Sequence, residues 1–382
     1  MSFDLKLESR LPGVGTTIFT TMSALALEHG AVNLGQGFPD FDCDPQLIEA
    51  VNAAMRAGHN QYPPMSGVPA LREAIAAKIE RLHARRYDAA AEITVTAGAT
   101  QGILTALLSV VHPGDEVMVL EPCYDSYAPN IALCGAQVVR VPLEAQTFRP
   151  DFAAIKAAIT PRTRALVINS PHNPSGMVWT DAEMRQLEAL LAGTKVLLLS
   201  DEVYEHMVFD GAEHLSVARY PGLAERAFIV SSFGKTYHVT GWKVGFVAAP
   251  AALSAEFRKV HQFNVFTVNT PMQYGLAAYM TSTTAHLELS AFYQRKRDLF
   301  RAGLAGSRLR LLPSQGSYFQ CVDTSACSPL SDSEFSEWLV REIGVASIPL
   351  SAFGGTSQQI VRFCFAKRDE TLARATALLA KL

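Results

Sequence analysis

The sequence has no cysteines paired at metal-ligand spacing. Cys43, Cys123, Cys134, Cys321, Cys327 and Cys364 are scattered, with no CxxC and no histidine cluster beside them. No metal centre is therefore expected, and the thiols read as reduced and cytoplasmic. An excess of one charge is also lacking: 33 Lys and Arg stand against 36 Asp and Glu, a net charge of −3. That leaves no electrostatic footprint for nucleic acid. No apolar stretch is long enough for a membrane; residues 103–111 (ILTALLSVV) reach about half of the roughly 20 residues that a span requires. The chain opens MSFDLKLESR, with acids where a secretory leader needs a basic and then an apolar segment, so secretion is not expected. Nor does a Pro/Ser-rich linker, charge block or short repeat divide the chain.

What is present is length and apolar residues. A chain of 382 residues exceeds what one hydrophobic core usually organises, which predicts two unequal domains. Hydrophobic residues make up 49% and charged residues only 18%, against roughly 25% charged in an ordinary soluble domain. Disorder is excluded, and some of the surface is expected to be buried between subunits.

From about Pro45 onward, helical stretches alternate with short apolar runs: 116–120 (EVMVL), 165–169 (ALVIN), 196–200 (VLLLS), 227–231 (AFIVS) and 244–248 (VGFVA). Continuous rather than alternating runs suit strands buried on both faces. Helices are expected over 69–83, 100–110, 180–191 and 253–263, with Thr180 as N-cap and Glu183 completing a capping box. The pattern is α/β: a large, doubly wound, mostly parallel sheet domain over 45–284. Beyond it come long amphipathic helices (287–304, 332–343, 369–379) around short strands near 318–322 and 360–365. Residues 285–382 read as a smaller α+β domain, joined by residues 1–44, which are too poor in elements to stand alone.

Residues 231–245, SSFGKTYHVTGWKVG, follow an apolar strand and carry two small hydroxyls, a glycine and Lys235 within five positions. A lysine just after a buried strand loses hydration, and desolvation near other cations lowers its pKa until the neutral amine serves as nucleophile and base. Taken alone, such a lysine reads first as a solvated loop lysine. Asp201, in SDEVY, falls at the carboxyl end of a central strand, where open α/β sheets gather ligands; its plain alternative is an N-cap. Asn173, in NSPHNPSG, sits in a turn that presents its amide, or is simply a turn former. The segment 96–101 (TAGATQ) joins a strand to a helix, and its small residues let backbone N–H groups approach an anion.

In this order, at successive strand ends, these motifs resemble the fold-type I pyridoxal 5′-phosphate (PLP) enzymes, specifically the class I/II aminotransferases. VSSFGKTYHVTGWKVGF and SDEVYEHMVF are most similar to the methionine, kynurenine and glutamine branch, and the likeness covers nearly the whole chain. The resemblance implies that Lys235 is the Schiff-base lysine, that Asp201 partners the pyridine nitrogen, and that Asn173 and Tyr204 donate to the 3-oxygen of the ring. A carboxylate that keeps the ring protonated makes it an electron sink. The resemblance further assigns Gly98, Ala99, Thr100, Ser232 and Lys243 to the phosphate, with lysine where the family commonly has arginine. That keeps the charge but loses the bidentate fork. Lys243 is otherwise a surface charge.

By the same likeness, Tyr124 in EPCYDSY covers the pyridine face and Tyr127 lines the substrate pocket, its plain alternative being a core tyrosine. Tyr62 in NQY reaches the neighbouring active site of a homodimer. Arg362 in IVRFCFA takes the substrate carboxylate, unless it forms an internal ion pair, and Gly35 in NLGQGFPD touches that carboxylate through its backbone, unless it is only a turn glycine. Asn173 contributes to the substrate site too. Phe19, Tyr127, Phe266 and Phe353 are expected around the substrate side chain. The implied reaction is ping-pong transamination between an amino acid and a 2-oxo acid, with Lys235 as anchor and then general acid/base. Two other readings compete: a PLP-dependent C–S lyase on the same site, and a ligand-sensing, non-catalytic relative attached to a DNA-binding module.

Overall fold

The structure, a computed structural model, describes residues 7–355 and 359–382; the first six residues of the opening segment lie outside it. Seven strands form the large sheet: β1 (Ile93–Thr96), β2 (Glu116–Glu121), β3 (Gln137–Pro142), β4 (Thr163–Asn169), β5 (Leu197–Asp201), β6 (Ala227–Ser232) and β7 (Gly245–Ala248). Their order is β1-β7-β6-β5-β4-β2-β3. All pairs are parallel except those of β7, which runs antiparallel to β1 and β6. This is the expected doubly wound, mostly parallel sheet. Each residue of β1, β2, β6 and β7 is buried, which is why β2, β6 and β7 carry continuous apolar runs (VMVL, AFIV and FVA); β1, ITVT, buries two threonines as well. The edge strand β3 is half exposed and reads QVVRVP, so its apolar run is too diluted to register.

Helices cover the sheet. Pro69–His83 starts with proline at its first position, where no backbone N–H is needed, and buries Leu71, Ile75 and Ile79 on one stripe. Asp181–Leu191 carries the expected capping box between Thr180 and Glu183. The N-terminal segment proves richer in structure than its sequence suggests: Thr17 caps a helix over Ile18–Glu28, which holds Phe19, and Val32–Asn33 pairs in parallel with Val345–Ala346.

A second, antiparallel sheet has the order Ile348–Pro349, Ile360–Cys364, Phe319–Asp323, Arg310–Leu311. Helices Leu289–Gly303 and Asp369–Leu379 pack against each other beside it. The helix expected over 332–343 is α-helical only over Asp332–Trp338; it then widens into a π-type turn over Leu339–Ile343 and ends at Gly344, φ 81°.

Register aligns the chemistry. Asn169 of β4 lies opposite Asp201 of β5, while Gly245 of β7 lies opposite both Ser232 of β6 and Thr96 of β1. The ends of these strands therefore face one rim of the sheet, with the 96–101 turn and the lysine segment side by side.

Candidate active site

That rim opens onto a cavity of about 380 Å³. Of the residues expected in a site, Gly98, Ala99, Thr100, Tyr124, Asn173, Asp201, Tyr204, Ser232, Lys235, Lys243 and Arg362 all line it. Lys235 stands in the short helix Phe233–Thr236 that follows β6 directly, and this brings its amine to the strand ends. Nζ donates to the hydroxyl of Tyr318 at 2.7 Å and to the carbonyl of Gly37 at 3.2 Å. Burial, reinforced by the nearby Arg362 and Lys243 cations and opposed by Cys364 and Asp201, lowers its pKa to about 8.

Asp201 is buried at the end of β5. One carboxylate oxygen accepts from the Tyr127 hydroxyl at 2.7 Å and the other from the Val203 backbone N–H at 3.3 Å. Burial raises its pKa to about 6 against those two hydrogen bonds and Lys235. A buried carboxylate held up in this way is stabilised by a cation brought against it. Asn169 ties the strand ends together: its Oδ1 accepts from the Asn173 N–H at 2.7 Å and its Nδ2 donates to the Asp201 carbonyl at 2.8 Å.

The anion end of the cavity lies at the start of helix Ala99–Val110, which has no side-chain cap. Gly98, at φ 79°, adopts a backbone conformation that side chains rarely take, and a Cβ there would lie 3.3 Å from the Lys243 amine. A Cβ on Gly245 would meet the Ser231 carbonyl at 2.6 Å and the Ala99 nitrogen at 3.1 Å, so glycine is what lets β7 pass behind the turn. Uncapped backbone N–H groups, Ser232 and the Lys243 ammonium therefore converge on one small volume suited to a phosphate.

Arg362 is 1% exposed. Its guanidinium donates to Asn173 Oδ1 at 2.7 Å and to the Gly35 carbonyl at 3.0 Å, while its Nε has no partner among the described residues. Three rings enclose it, their centroids 3.9 Å (Phe319), 4.6 Å (Phe353) and 5.5 Å (Phe19) from the guanidinium carbon. No carboxylate pairs with it among the described residues, which removes the internal ion-pair reading.

Four expectations change. Tyr127 does not line the cavity; it lies 2% exposed behind Asp201, because the Tyr127–Leu133 helix turns it toward the core. Gly35 contributes its carbonyl to Arg362 rather than a wall of the cavity, and its N–H is taken by Asn33 Oδ1. Phe266 does not line this chain's cavity: it is 47% exposed and packs at 5.2 Å between ring centroids on Tyr62, itself 79% exposed. Of the four aromatics expected around a side chain, Phe19 lines the cavity, and Phe353 stands edge-on to it at 5.7 Å. Sequence reading missed Asn169, Asp125, Phe319 and Tyr318. Asn169 had a signal, a polar residue ending an apolar strand; Phe319 had none, since it meets Arg362 only across the small sheet.

The donor set fits pyridoxal 5′-phosphate: a buried carboxylate short of a cation, a half-buried amine of lowered basicity, and an anion cradle. Residues 29–379 match the family described as aminotransferase class I and II. The methionine aminotransferase of Escherichia coli (strain K12) is 51% identical over 378 residues, 98% of this chain and 98% of that protein. A probable N-succinyldiaminopimelate aminotransferase of Mycobacterium tuberculosis is 42% identical over 388 residues, again 98% of each. The crystal structure of YbdL from Escherichia coli, for which a methionine aminotransferase function is identified, superposes with a TM-score of 0.97 at 50% identity, over 99% of this chain and 100% of that one.

Proposed function

Because the chain belongs to the class I and II aminotransferases and is a PLP-dependent enzyme, we propose that it moves the amino group of an L-amino acid of the methionine, aromatic, kynurenine or glutamine type to a 2-oxo acid. The observation that carries this reading is one cavity wall holding Lys235, Asp201 and Arg362 together, with phenylalanine rings around the arginine.

The cofactor, when bound, supplies a protonated ring that draws electrons from the substrate's α-carbon. Asp201 holds the proton on the ring nitrogen, and Tyr127, donating from behind, fixes the carboxylate's orientation. The Asn173 amide nitrogen, without a partner among the described residues, and the Tyr204 hydroxyl donate toward the 3-oxygen. Ser232, Lys243 and the first turn of Ala99–Val110 hold the phosphate, and Tyr124 covers the ring face. Arg362 fixes the substrate carboxylate. Lys235 Nζ anchors the cofactor and, as a neutral amine, takes the α-proton.

Within the cavity wall the cationic side chains are Lys235, Lys243 and Arg362, so no further arginine is offered to a side-chain carboxylate. Phe19, Phe38, Ile103 and Val203 favour an apolar side chain instead. A donor panel of methionine, phenylalanine, kynurenine, glutamine, aspartate and N-succinyldiaminopimelate, with 2-oxoglutarate and 2-oxo-4-methylthiobutyrate as acceptors, tests this. Methionine is expected to give the highest kcat/KM and aspartate a value at least roughly tenfold lower, as an unmatched charge in the side-chain site implies. A preference for either acidic donor would refute the apolar assignment, and ammonia released without a new amino acid would indicate lyase chemistry.

The exposed Tyr62–Phe266 pair supports a homodimer in which Tyr62 completes the neighbouring phosphate site. Sedimentation should then give twice the chain mass. Tyr62→Ala is expected to weaken cofactor retention roughly tenfold or more, the effect of losing one hydrogen bond to a charged group. A monomer that holds the cofactor as well as the wild type would sink the arrangement. All six cysteines are unpaired, which supports a reducing, cytoplasmic setting, and no helix among the described residues is long and apolar enough to cross a membrane.

A further inference from the structure

Burial lowers the basicity of Lys235, whereas the hydrogen bonds around it fix where its N–H bonds point. A neutral primary amine has two N–H bonds and one lone pair; an ammonium has three N–H bonds and none. Nζ makes two hydrogen bonds among the described residues, to the Tyr318 hydroxyl at 2.7 Å and to the Gly37 carbonyl at 3.2 Å. The Tyr318 hydroxyl also donates its own proton to the Gly37 carbonyl. The triangle is complete for the neutral form: two N–H bonds and one O–H bond meet acceptors, the carbonyl uses both lone pairs, and the amine's lone pair stays unengaged. A third N–H would have no acceptor in this triangle.

Tyr318 is fixed independently of the amine. It is 1% exposed, with the Phe319 ring centroid at 4.8 Å, Tyr204 at 5.0 Å and Tyr293 at 5.8 Å. Burial keeps its phenol protonated well beyond the ordinary range. With its only proton committed to Gly37, the hydroxyl presents an acceptor to Lys235 and cannot block the lone pair by donating to it.

We propose that Tyr318 and the Gly37 carbonyl form a dock for the Lys235 side chain whenever it is not tied to the cofactor, fixing both N–H bonds and leaving the lone pair free for the substrate's α-proton. Tyr318 is thus a positioning residue. The inference rests on Lys235 being the anchoring base; borohydride fixation of the cofactor to Lys235 in the wild type checks that separately, and its failure removes both readings.

The test compares wild type with Tyr318→Phe, which deletes one oxygen and keeps the ring. In the aminated, pyridoxamine 5′-phosphate-loaded form, where Lys235 is free, competitive acetylation of Lys235 is followed against pH by mass spectrometry. The other ionisable groups facing Nζ are Asp201, Arg362, Lys243, Cys364 and Tyr204, and the variant leaves them in place. An acceptor stabilises ammonium more than amine, so its loss is expected to move the labelling midpoint down by about half a pH unit or more. With methionine as donor, kcat is expected to fall roughly tenfold with little change in KM, the scale of a misplaced general base. The kinetic isotope effect with α-deuterated methionine is expected to rise as proton transfer becomes limiting. An unchanged midpoint together with an unchanged isotope effect overturns the dock. If the variant does not fold, a crystal structure of the wild-type aminated form decides: Nζ farther than about 3.5 Å from the Tyr318 hydroxyl overturns it, and a contact within that distance supports it.

Discussion

Lys235→Ala is expected to give a folded protein that transfers no amino group. A positioned general base alone is worth about 10²–10⁴ in rate, and this substitution removes the covalent anchor as well, so kcat should fall by more than roughly 10⁴-fold. Folding should survive, because alanine suits the Phe233–Thr236 helix and no buried group is orphaned: the Tyr318 hydroxyl keeps its bond to the Gly37 carbonyl when the amine is gone. The melting temperature should stay within a few degrees of wild type while borohydride ceases to fix the cofactor to the chain. The sign of the pH dependence follows from the same group. Its pKa is lowered to about 8, so the amine is protonated below that pH and neutral above it. A base must be neutral to take a proton, so the proton-transfer rate should rise with pH and level off above about 8. Residual turnover by Lys235→Ala at more than a trace would refute the assignment.

How much of this was legible in the sequence varied with how local the cause is. The helix over Pro69–His83 and the Thr180 capping box depend on neighbours three or four residues apart, and the sequence marks both. The strands that end at Asn169, Asp201 and Ser232 are buried on both faces, so composition alone gives them away. Tyr127 shows the limit. It lies one helical turn after Tyr124, but whether a tyrosine at the end of β2 faces the cavity or the core depends on where the Tyr127–Leu133 helix packs, and the two rings end up perpendicular at 5.7 Å. The enclosure of Arg362 was less legible still. Phe19 comes from an N-terminal helix, Phe319 from the neighbouring strand and Phe353 from a turn, so no window of sequence contains the arrangement. Tyr318 was hidden for the same reason, since its partners Gly37 and Lys235 are far from it in the chain.

Arg362→Ala should produce the second large loss, and the surroundings of the arginine say which step suffers. The guanidinium is buried among three phenylalanine rings, with two N–H groups committed to Asn173 and Gly35 and its Nε unpartnered. A charge in that setting is stabilised when a carboxylate completes it, and truncating one partner of a buried, hydrogen-bonded charge pair costs about 2–5 kcal/mol. In kcat/KM for methionine this is a fall of roughly 30-fold to several thousand-fold, mostly through KM. Arg362→Lys keeps the charge without the planar fork and should recover only part. Loss of packing would also lower kcat/KM, and a donor without a carboxylate separates the two causes. With 3-(methylthio)propylamine, which has the methionine side chain but no carboxylate for the guanidinium to hold, wild type and Arg362→Ala should react at similar rates. If the variant is as defective with that amine as with methionine, Arg362 supports the fold of the cavity and not the recognition of substrate. If the deficit vanishes with the carboxylate, the energy of that ion pair is what selects amino acids over simple amines.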